Sequence, residues 1–290
     1  MRIFLTGATG LIGSAVLRRL VEGGHSVTAL VRSPAKADLI RSDAVTPVVG
    51  DLARPQAFTA AIAACDGVIH AGAPHDDTTL SVDEAFTLAV LAVLEGTDKP
   101  LVTTSGVWVY GDGADIDENA PYTPPSLVCW RPSLADRVRK TSGVRGIVIA
   151  PGIVHGDGRG MHTIIAGQRV DGDEPALMTV GTGRQHWAGV HADDLADLYV
   201  RALQSAPPGT TFIGAADDNP TVHELTVALS RKLGFGGRVV TETDKSALTR
   251  LGQLGEALLL DQQASGDRAR KVLGWAPARP SLLQDILAGA

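Results

Sequence analysis

Three glycines near the N-terminus stand at a spacing that suits phosphate binding. Gly7, Gly10 and Gly13 follow the apolar run Arg2–Thr6 and precede an amphipathic helical pattern in MRIFLTGATGLIGSAVLRRL. A glycine at such a turn lets the backbone approach a pyrophosphate, and the helix that follows offers free N–H groups and a partial positive charge. The strand–turn–helix context predicts a dinucleotide site, and a tight turn without a ligand is the alternative.

The residues after the second predicted strand indicate which dinucleotide binds. An acidic side chain there binds the ribose hydroxyls of NAD, whereas the 2′-phosphate of NADP needs cations. The strand ends in ALVRSPAK, which supplies Arg32, Ser33 and Lys36 and no carboxylate. Arg32 suits a phosphate in charge and geometry, so the sequence favours NADP(H) over NAD(H). Asp51, in VVGDLARP, either meets the adenine edge or caps the helix that begins near Pro55.

These motifs lie in a chain where apolar strands alternate with helical patterns. Such alternation needs crossover connections, so it predicts an α/β fold with a Rossmann-type, doubly wound parallel sheet covered on both faces. The predicted strands are Arg2–Thr6, Ser26–Val31, Val45–Val49, Gly67–Ala71, Leu101–Thr104, Arg145–Ala150, Thr211–Gly214 and Val239–Thr241, and the predicted helices lie near 11–23, 34–42, 55–64, 79–95, 128–141 and 192–205.

The alternation loosens after the segment HGDGRG, residues 155–160. We predict a dinucleotide-binding Rossmann domain over 1–155, to which 186–216 returns, and a smaller C-terminal substrate lobe over 156–185 and 217–290. Because open α/β folds bind ligands outside the carboxyl ends of their strands, the lobe is expected to cover that edge of the sheet.

Composition narrows the class of protein. The chain is 44% hydrophobic and 20% charged, which is ordinary for a globular protein with a sizeable core. Its net charge is −6 and it has no basic cluster, which argues against a nucleic-acid or membrane partner. The two cysteines lack metal-type spacing, and no apolar stretch has the length to span a bilayer. We expect a cytoplasmic protein that acts on a small molecule and binds no metal.

Six segments, in order, carry a family resemblance: TGATGLIG, GDLARP, VIHAGAP, LVTTSGVWVYG, IAPGIVHGDGRG and VGTGRQHWAGVHADDLADLYVRAL, followed by the tail LGWAPARPSL. Together they resemble the landmarks of extended short-chain dehydrogenase/reductases of the NAD(P)-dependent epimerase/dehydratase type, over nearly the whole chain. The resemblance implies a Rossmann fold with a substrate lobe, nicotinamide held near Ala150–Val154, and Ala71–Ala73 lining the cofactor channel. It also makes a homodimer through the helices near 79–95 and 128–141 an expectation.

The reaction centre of that family is a Ser or Thr after the fifth strand and a Tyr-x-x-x-Lys pair on the next helix. The lysine and the cofactor's charge lower the tyrosine pKa, so that the phenol exchanges a proton with the substrate oxygen. The resemblance places Trp130 in the tyrosine position and Leu134 in the lysine position. The pair is therefore missing, and no lysine stands four residues after any of the three tyrosines, Tyr110, Tyr122 and Tyr199.

Other groups must take over the work of the missing pair. Ser105 is the hydroxyl expected to contact substrate, because the usual hydroxyl position falls on Gly106. Trp130 either stacks on the substrate or packs inside the lobe interface, since indole does not donate a proton usefully near neutral pH. Arg131 stays charged, so it could anchor an anionic group or polarise a carbonyl but is a poor proton donor.

Histidine is the better candidate for an acid because its pKa lies near neutral pH. His155 follows the strand expected beside the nicotinamide, His162 follows the glycine-rich loop, and His186 lies in GRQHWAGVH, a segment that in relatives runs near the substrate. A structural or partly exposed ring is the alternative for each. His191 is expected to start a helix together with Asp193.

The predicted catalytic residues are Ser105, Trp130, His155 and His162, and the predicted substrate contacts are Ala73, Arg131, Met161, His186 and Trp187. The predicted cofactor-binding residues are Gly7, Thr9, Gly10, Leu11, Ile12, Gly13, Arg32, Ser33, Lys36, Asp51, Leu52, Ala71, Gly72, Thr104, Pro151, Gly152, Ile153 and Val154.

Three functions are compatible with these residues. One is an NADPH-dependent reductase of a small organic substrate with an activated C=N, C=C or C=O bond. Losing a positioned acid costs about 10²–10⁴-fold in rate, and an imine or conjugated enone depends less on that acid than a plain ketone does. The second is a non-redox isomerase or cyclase, or a sugar-type epimerase, on the same fold, and the third is a non-catalytic NADP(H)-sensing protein. The developed substrate lobe favours an enzyme.

Overall fold

Alternate residues of the first strand face opposite sides of a central sheet. The structure, a computed structural model, describes residues 1–74 and 76–288. In β1 (Arg2–Thr6), Ile3 and Leu5 join one buried cluster and Phe4 joins another. A parallel strand between two layers of helices is buried on both faces, which is why this segment is a continuous apolar run.

Seven parallel strands form the central sheet in the order β3-β2-β1-β4-β5-β7-β13. The chain order reverses between β1 and β4, and in open α/β sheets such a switch point opens a crevice at the carboxyl ends of the strands. The strands after β1 are β2 (Ser26–Val31), β3 (Val45–Val49), β4 (Gly67–His70), β5 (Pro100–Thr104), β6 (Gly113–Ile116), β7 (Arg145–Pro151), β8 (Ile153–Gly156), β9 (Arg159–Gly160), β10 (Arg169–Val170), β11 (Ala176–Met178), β12 (Gly189–His191), β13 (Thr210–Gly214), β14 (Val239–Val240) and β15 (Gln262–Ala264).

Helices cover both faces of this sheet and build the rest of the molecule. They are α1 (Leu11–Glu22), α2 (Pro34–Asp38), α3 (Thr59–Ala63), α4 (Thr79–Leu94), α5 (Arg131–Lys140), α6 (His162–Ala166), α7 (Ala192–Ser205), α8 (Val222–Lys232), α9 (Asp244–Leu251), α10 (Gln253–Leu258), α11 (Asp267–Leu273) and α12 (Leu282–Ala288). Three short 3₁₀ helices span Pro55–Phe58, Val107–Tyr110 and Ser126–Val128.

The two helical layers bury different side chains. On one face α1 packs along α7 around a cluster that includes Leu20, Leu195 and Tyr199. On the other face α4 and α5 pack over Phe86, Leu94 and other members of a second cluster. Both layers hold the carboxyl ends of β1, β4 and β5 in fixed register, so the polar residues that follow these strands share one edge.

A third buried cluster lies in the C-terminal half, around a small sheet of β10, β11 and β14. Helices α8 and α12 pack on each other beside it. Two further pairings, β12 with β8 and β15 with β6, join this region to the central part. The sequence assigned 217–290 to the lobe, and its last two residues, 289 and 290, lie outside the described residues.

The predicted α/β, doubly wound fold is confirmed, including the return of the strand near 211–214 to the sheet as β13. The helix expected over 128–141 is a 3₁₀ turn followed by α5, because Pro132 in the first turn of α5 has no N–H to continue a helix from before it. None of the helices in the described part has the length and hydrophobicity that crossing a lipid bilayer requires.

Candidate active site

The turn after β1 can be built only from glycine. Gly7 has a φ of +76°, and a Cβ on it would lie 2.4 Å from the carbonyl oxygen of Ala71. A Cβ on Gly13 would lie 2.1 Å from the carbonyl oxygen of Gly7. Gly10 closes the turn, donating its N–H to that same oxygen at 2.8 Å. Two close backbone approaches thus explain the spacing of the glycines.

The same turn leaves the start of α1 open to an anion. Gly10 is its N-cap and is exposed, and within the described chain no side chain caps this helix. The first N–H groups of a helix have no partner inside it and carry a partial positive charge. Thr9 is half-buried at the turn, while Leu11 and Ile12 pack partly against the core. The uncapped N-terminus of α1 behind this glycine turn fits the pyrophosphate of a dinucleotide.

The end of β4 is locked against the glycine turn. The hydroxyl of Thr6 accepts the N–H groups of Ala71 and Gly72 at 3.2 and 3.1 Å. Ala73 follows, half-buried, at the same edge of the sheet. These residues therefore stand beside the turn, where the sequence placed the wall of the cofactor channel.

The end of β2 offers positive charge. Arg32 and Lys36 are exposed directly after the strand, and Ser33 caps α2 by accepting the N–H of Lys36 at 3.3 Å. Asp51 is exposed after β3, beside half-buried Leu52, and accepts the N–H of Ala53 at 3.0 Å. Asp51 thus closes a turn, and the N-cap of the next 3₁₀ helix is Arg54 instead.

The carboxyl ends of β5 and β7 border an open space. A Cβ on Gly106 would meet only the carbonyl oxygen of Pro151, at 3.9 Å. Gly152 packs on Ala188, where a Cβ would lie 2.3 Å from the carbonyl oxygen. Ile153 is buried, and Val154 packs partly against the core. The backbone at Gly106 is therefore not packed against a neighbouring side chain at this edge.

A cationic side chain enters this edge from the first turn of α5. Arg131 is half-buried, and its Nη1 donates to the carbonyl oxygen of Thr104 at 2.8 Å. Its guanidinium lies over the ring of Trp130, 4.7 Å from the centroid. Burial lowers the pKa of Arg131, and the charge of Asp83 opposes that shift. The tryptophan and the arginine therefore act as one stacked unit.

Thr104, predicted to bind the cofactor, has both of its oxygen atoms in hydrogen bonds within the protein. Its hydroxyl donates to the carbonyl oxygen of His70 at 2.8 Å and lies 2.6 Å from the hydroxyl of Tyr199. Since the one hydroxyl hydrogen of Thr104 goes to His70, Tyr199 is the donor in the second bond. Thr104 is thus hydrogen-bonded to Arg131 of α5 on one side of the sheet and to Tyr199 of α7 on the other.

Two of the three tyrosines are held inside the protein. Tyr199 is fully buried, and burial raises its pKa. Tyr110 is buried against Tyr122, with ring centroids 5.3 Å apart, and burial raises its pKa as well. The expected packing role of Tyr110 is confirmed.

Ser105 has a free hydroxyl beside Arg131. Its backbone N–H donates to Ile149 at 2.7 Å, whereas its side-chain oxygen bonds to none of the described residues. It lines one small cavity together with Trp130, Arg131, Leu134 and Asp83. The sequence suggested Ser105, Trp130 and Arg131 for three different reasons, and in the structure they line the same cavity.

The predicted catalytic role of the two other residues is not supported by their positions. His155 is fully buried, with Nδ1 3.3 Å from Asp285 and its ring against that of His191. His162 is also buried, and its Nδ1 has no partner among the described residues. Burial lowers the pKa of both rings, and neither faces open space. His155 is buried because α12 and β12 pack on this segment, through Asp285 and His191.

Three predicted substrate residues also serve the packing of the lobe. Trp187 is buried, and its Nε1 donates to the carbonyl oxygen of Leu258 at 3.1 Å. His186 is tied through Nδ1 to Asp261 at 2.7 Å. Met161 packs partly against the third cluster. His191, as expected, is the N-cap of α7 and accepts the N–H of Asp193.

Sequence reasoning missed a buried polar chain below the glycine turn. His70 Nδ1 lies 2.7 Å from the Thr6 hydroxyl, and its Nε2 lies 2.6 Å from Asp83. Asp83 and Thr87 are one turn apart on the buried face of α4, and the other buried residues of this helix are apolar. A carboxylate on an apolar helix face was the signal that could have revealed this chain.

Comparisons with known proteins agree with this geometry. The model of the NAD dependent epimerase/dehydratase family matches residues 3–214. An uncharacterized protein of Schizosaccharomyces pombe is 30% identical over 297 residues, which cover 100% of this chain and 99% of that protein. An NAD(P)H azoreductase of Xenophilus azovorans is 28% identical over 86% of this chain and 81% of its own.

Solved structures share the fold at lower identity. The UDP-glucuronic acid 4-epimerase from Bacillus cereus, in complex with UDP-glucuronic acid and NAD, superposes with a TM-score of 0.80 at 17% identity. The match covers 100% of this chain and 97% of the epimerase. With the glycine turn, the sheet order and the family match in agreement, the chain belongs to the NAD-dependent epimerase/dehydratase family.

Proposed function

We propose that this protein is an NADPH-dependent reductase that transfers hydride to an activated C=N, C=C or C=O bond of a small organic substrate. One observation carries the proposal. Where the family has a phenol and an ammonium, this chain has the stacked Trp130–Arg131 unit beside the free hydroxyl of Ser105. A fixed cation and a hydroxyl can stabilise charge but are weaker acids than an activated tyrosine.

The chemistry then divides between cofactor and protein. When bound, the reduced dinucleotide supplies the hydride. Ser105 donates a hydrogen bond to the substrate heteroatom, and the guanidinium of Arg131 stabilises the negative charge that develops on it. Preorganised groups of this kind are worth about 10²–10³-fold each in rate. The proton that completes the reduction would come from solvent water, and a heteroatom that is already basic or conjugated needs no stronger acid than this.

Positive charge at the end of β2 supports NADPH, and not NADH, as the cofactor of the proposed reaction. Arg32 and Lys36 are exposed there, and no carboxylate stands where NAD-binding sites use one. The capping role of Ser33 fixes the backbone between these two cations. A 2′-phosphate placed on this turn would meet an arginine that can bind two of its oxygens at once.

A sugar epimerase on this scaffold is less well supported. It must take a proton from an alcohol as well as return one, and the family does so with the tyrosine–lysine pair that this chain lacks. The likeness to the Bacillus cereus epimerase rests on the fold. Relatives of both kinds match at similar identity, an NAD(P)H azoreductase at 28% and a UDP-glucose 4-epimerase of Mycolicibacterium smegmatis at 27%, so the preference for a reductase rests on the residues of the site.

The test is a substrate panel with the purified protein. NADPH absorbance and product mass are followed with a cyclic imine, a conjugated enone, an aromatic azo compound and a plain ketone. We expect NADPH oxidation with one of the activated classes and little with the ketone. Conversion without NADPH oxidation would show an isomerase or cyclase instead. Binding of both redox forms with no conversion would show a sensor.

A further inference from the structure

The pairing of β1 with β4 ends at a residue whose side chain continues it. The last paired residues are Thr6 and His70, and the chain then turns away at Gly7, where φ is +76°. The N–H groups of Ala71 and Gly72 come next on β4's side, and the Thr6 hydroxyl accepts both, at 3.2 and 3.1 Å. The two acceptor positions of that hydroxyl are thereby used.

The remaining hydrogen of this hydroxyl fixes the state of the His70 ring. Thr6 is fully buried, and its hydroxyl oxygen lies 2.7 Å from Nδ1 of His70. Because the hydroxyl already accepts two N–H groups, it is the donor in this bond, and Nδ1 carries no hydrogen. The ring hydrogen is then on Nε2, which lies 2.6 Å from Oδ1 of Asp83. The ring therefore donates to the carboxylate.

Helix α4 holds this ring by its edge and by its face. Asp83 accepts the Nε2 hydrogen, and Phe86, three residues further along the same helix, packs on the ring with the centroids 4.6 Å apart. His70 and Asp83 are only 4% and 7% exposed, and Phe86 is fully buried. In such an environment a hydrogen bond to a charged group is strong, and leaving one partner unpaired is costly. The ring is confined to one orientation and one tautomer.

We propose that Asp83, acting through His70, is a positioning residue of the dinucleotide site. The carboxylate fixes the ring, the ring fixes the direction of the Thr6 hydroxyl, and the hydroxyl holds the peptide groups at 71 and 72 beside the glycine turn. Helix α4, which supplies no residue to the predicted cofactor site, thereby controls the shape of that site.

The contact between the two segments is close enough to transmit this control. A Cβ on Gly7 would lie 2.4 Å from the carbonyl oxygen of Ala71 and 2.8 Å from the nitrogen of Gly72, so a shift of either peptide group moves the turn. A turn that is held in its bound shape before the cofactor arrives loses little entropy on binding. The effect on affinity rests on the proposed NADPH-dependent function, whereas the state of the ring does not.

The state of the ring is tested first, in the wild type. Nitrogen-15 NMR distinguishes protonated from unprotonated ring nitrogens, and the His70 signals are assigned by their absence from the spectrum of H70N. We expect a hydrogen on Nε2 and none on Nδ1. A hydrogen on Nδ1 would overturn the proposal, because the Thr6 hydroxyl could not then donate to the ring.

Calorimetry with NADPH tests the consequence for the cofactor. D83A removes the acceptor of the ring N–H, so the Kd for NADPH should rise about 10-fold, the effect of one lost hydrogen bond to a charged group. D83N keeps an oxygen that can accept, so the Nε2 hydrogen should stay and the Kd should remain close to the wild-type value. H70N, whose shorter side chain does not reach Asp83, should raise the Kd as D83A does and replaces it if D83A does not fold.

T87A is the matched control for D83A. Thr87 is buried on the same face of α4, one turn away, and its hydroxyl bonds to none of the described residues, so its removal should leave the Kd unchanged. Equal Kd values for D83A and T87A, or a D83N value raised as far as that of D83A, would overturn the positioning role alone. A wild type that binds neither NADPH nor NADH would overturn the proposed function and, with it, the effect on affinity.

Discussion

Arg131 donates a hydrogen bond from Nη1 to the carbonyl oxygen of Thr104 over 2.8 Å. Thr104 ends β5 and Ser105 follows it, so this bond fixes a positive charge at the carboxyl edge of the sheet, next to a free hydroxyl. Ligands of open α/β folds bind at that edge. In the proposed reductase reaction, this is the edge at which negative charge would develop on a substrate heteroatom.

Removing this charge should slow the reaction without preventing cofactor binding. R131M is expected to lower kcat by about 10²–10³-fold, the effect of losing one preorganised donor, with the Kd for NADPH unchanged. The kcat of R131K should lie between those of the wild type and R131M, because lysine keeps the positive charge but lacks the planar guanidinium with its several donors. R137M, on the exposed face of the same helix, is the control. Equal kcat for R131M and R137M would exclude the role of Arg131.

Restoring the family's pair should restore its chemistry. In W130Y/L134K the new ammonium would enter the cavity that Leu134 and Asp83 line, close to the new phenol. A nearby cation lowers the pKa of a phenol, so the double variant should gain NADP-dependent oxidation of secondary alcohols or reduction of plain ketones. Either single variant serves as the control. Retained cofactor affinity with no gain in activity would mean that these two positions are wrongly aligned.

The glycine turn gives a stability prediction with an internal control. Gly7 and Gly24 have nearly the same φ, +76° and +74°, but a Cβ on Gly24 would meet nothing within 4 Å. G24A should lose about 1–2 kcal/mol of unfolding free energy from backbone strain alone. G7A must also push the Ala71 carbonyl away, so it should lose considerably more in urea unfolding. Equal losses would show that the close approach at Gly7 is wrong.

Cofactor preference can be tested at the end of β2. If Arg32 binds the 2′-phosphate, R32A removes a charge-assisted bond worth about 1.5–3 kcal/mol. The Kd for NADPH should then rise about 10–100-fold by calorimetry, and that for NADH should not change. R41A, also exposed in this region, is the control. A preference for NADH in the wild type would contradict the assignment.

Stability should fall in mild acid because three buried histidines, His25, His155 and His162, have pKa values that burial lowers. At pH values just below 6.5 the unfolded chain therefore binds protons that the folded chain does not. The free energy of unfolding is therefore kept above about pH 6.5 and falls as pH drops below it, by at most about 1.4 kcal/mol per pH unit and histidine.

Urea unfolding between about pH 7.5 and pH 5.5 measures this slope. H155Q and H162N should each flatten it, whereas H223N, at an exposed position, should leave it unchanged. A wild-type slope of zero across this range would contradict the burial of the three rings.

The sequence determined the strands of the sheet well because most of them are buried on both faces. The predicted bounds of Arg2–Thr6 and Ser26–Val31 match the structure, and so do those of Val45–Val49, although that edge strand is only partly buried. A doubly buried strand needs an uninterrupted apolar run, and such runs are short and bounded by turn residues. The glycine turn was also predicted from the sequence, because close backbone approaches at Gly7 and Gly13 leave no room for any residue but glycine.

Residues whose roles depend on tertiary packing could not be read in the same way. His155 and Trp187 lie in motifs that suggested a role in the active site, but β12, α10 and α12 bury their side chains. No local sequence pattern indicates this burial. Asp83 was overlooked because its hydrogen-bond partner, His70, lies on a different secondary-structure element. Arg131 was identified, but its stacking on Trp130 and its bond to Thr104 required the structure.

A crystal structure of the protein with bound NADP⁺ tests the central claim most directly. We predict that the dinucleotide lies on the Gly7–Gly13 turn, with the reactive carbon of the nicotinamide facing the Ser105 hydroxyl and the Arg131 guanidinium, and no tyrosine hydroxyl within hydrogen-bond distance of a substrate placed there. A tyrosine beside that carbon, or a protein that takes up neither NADP⁺ nor NAD⁺, would contradict the account.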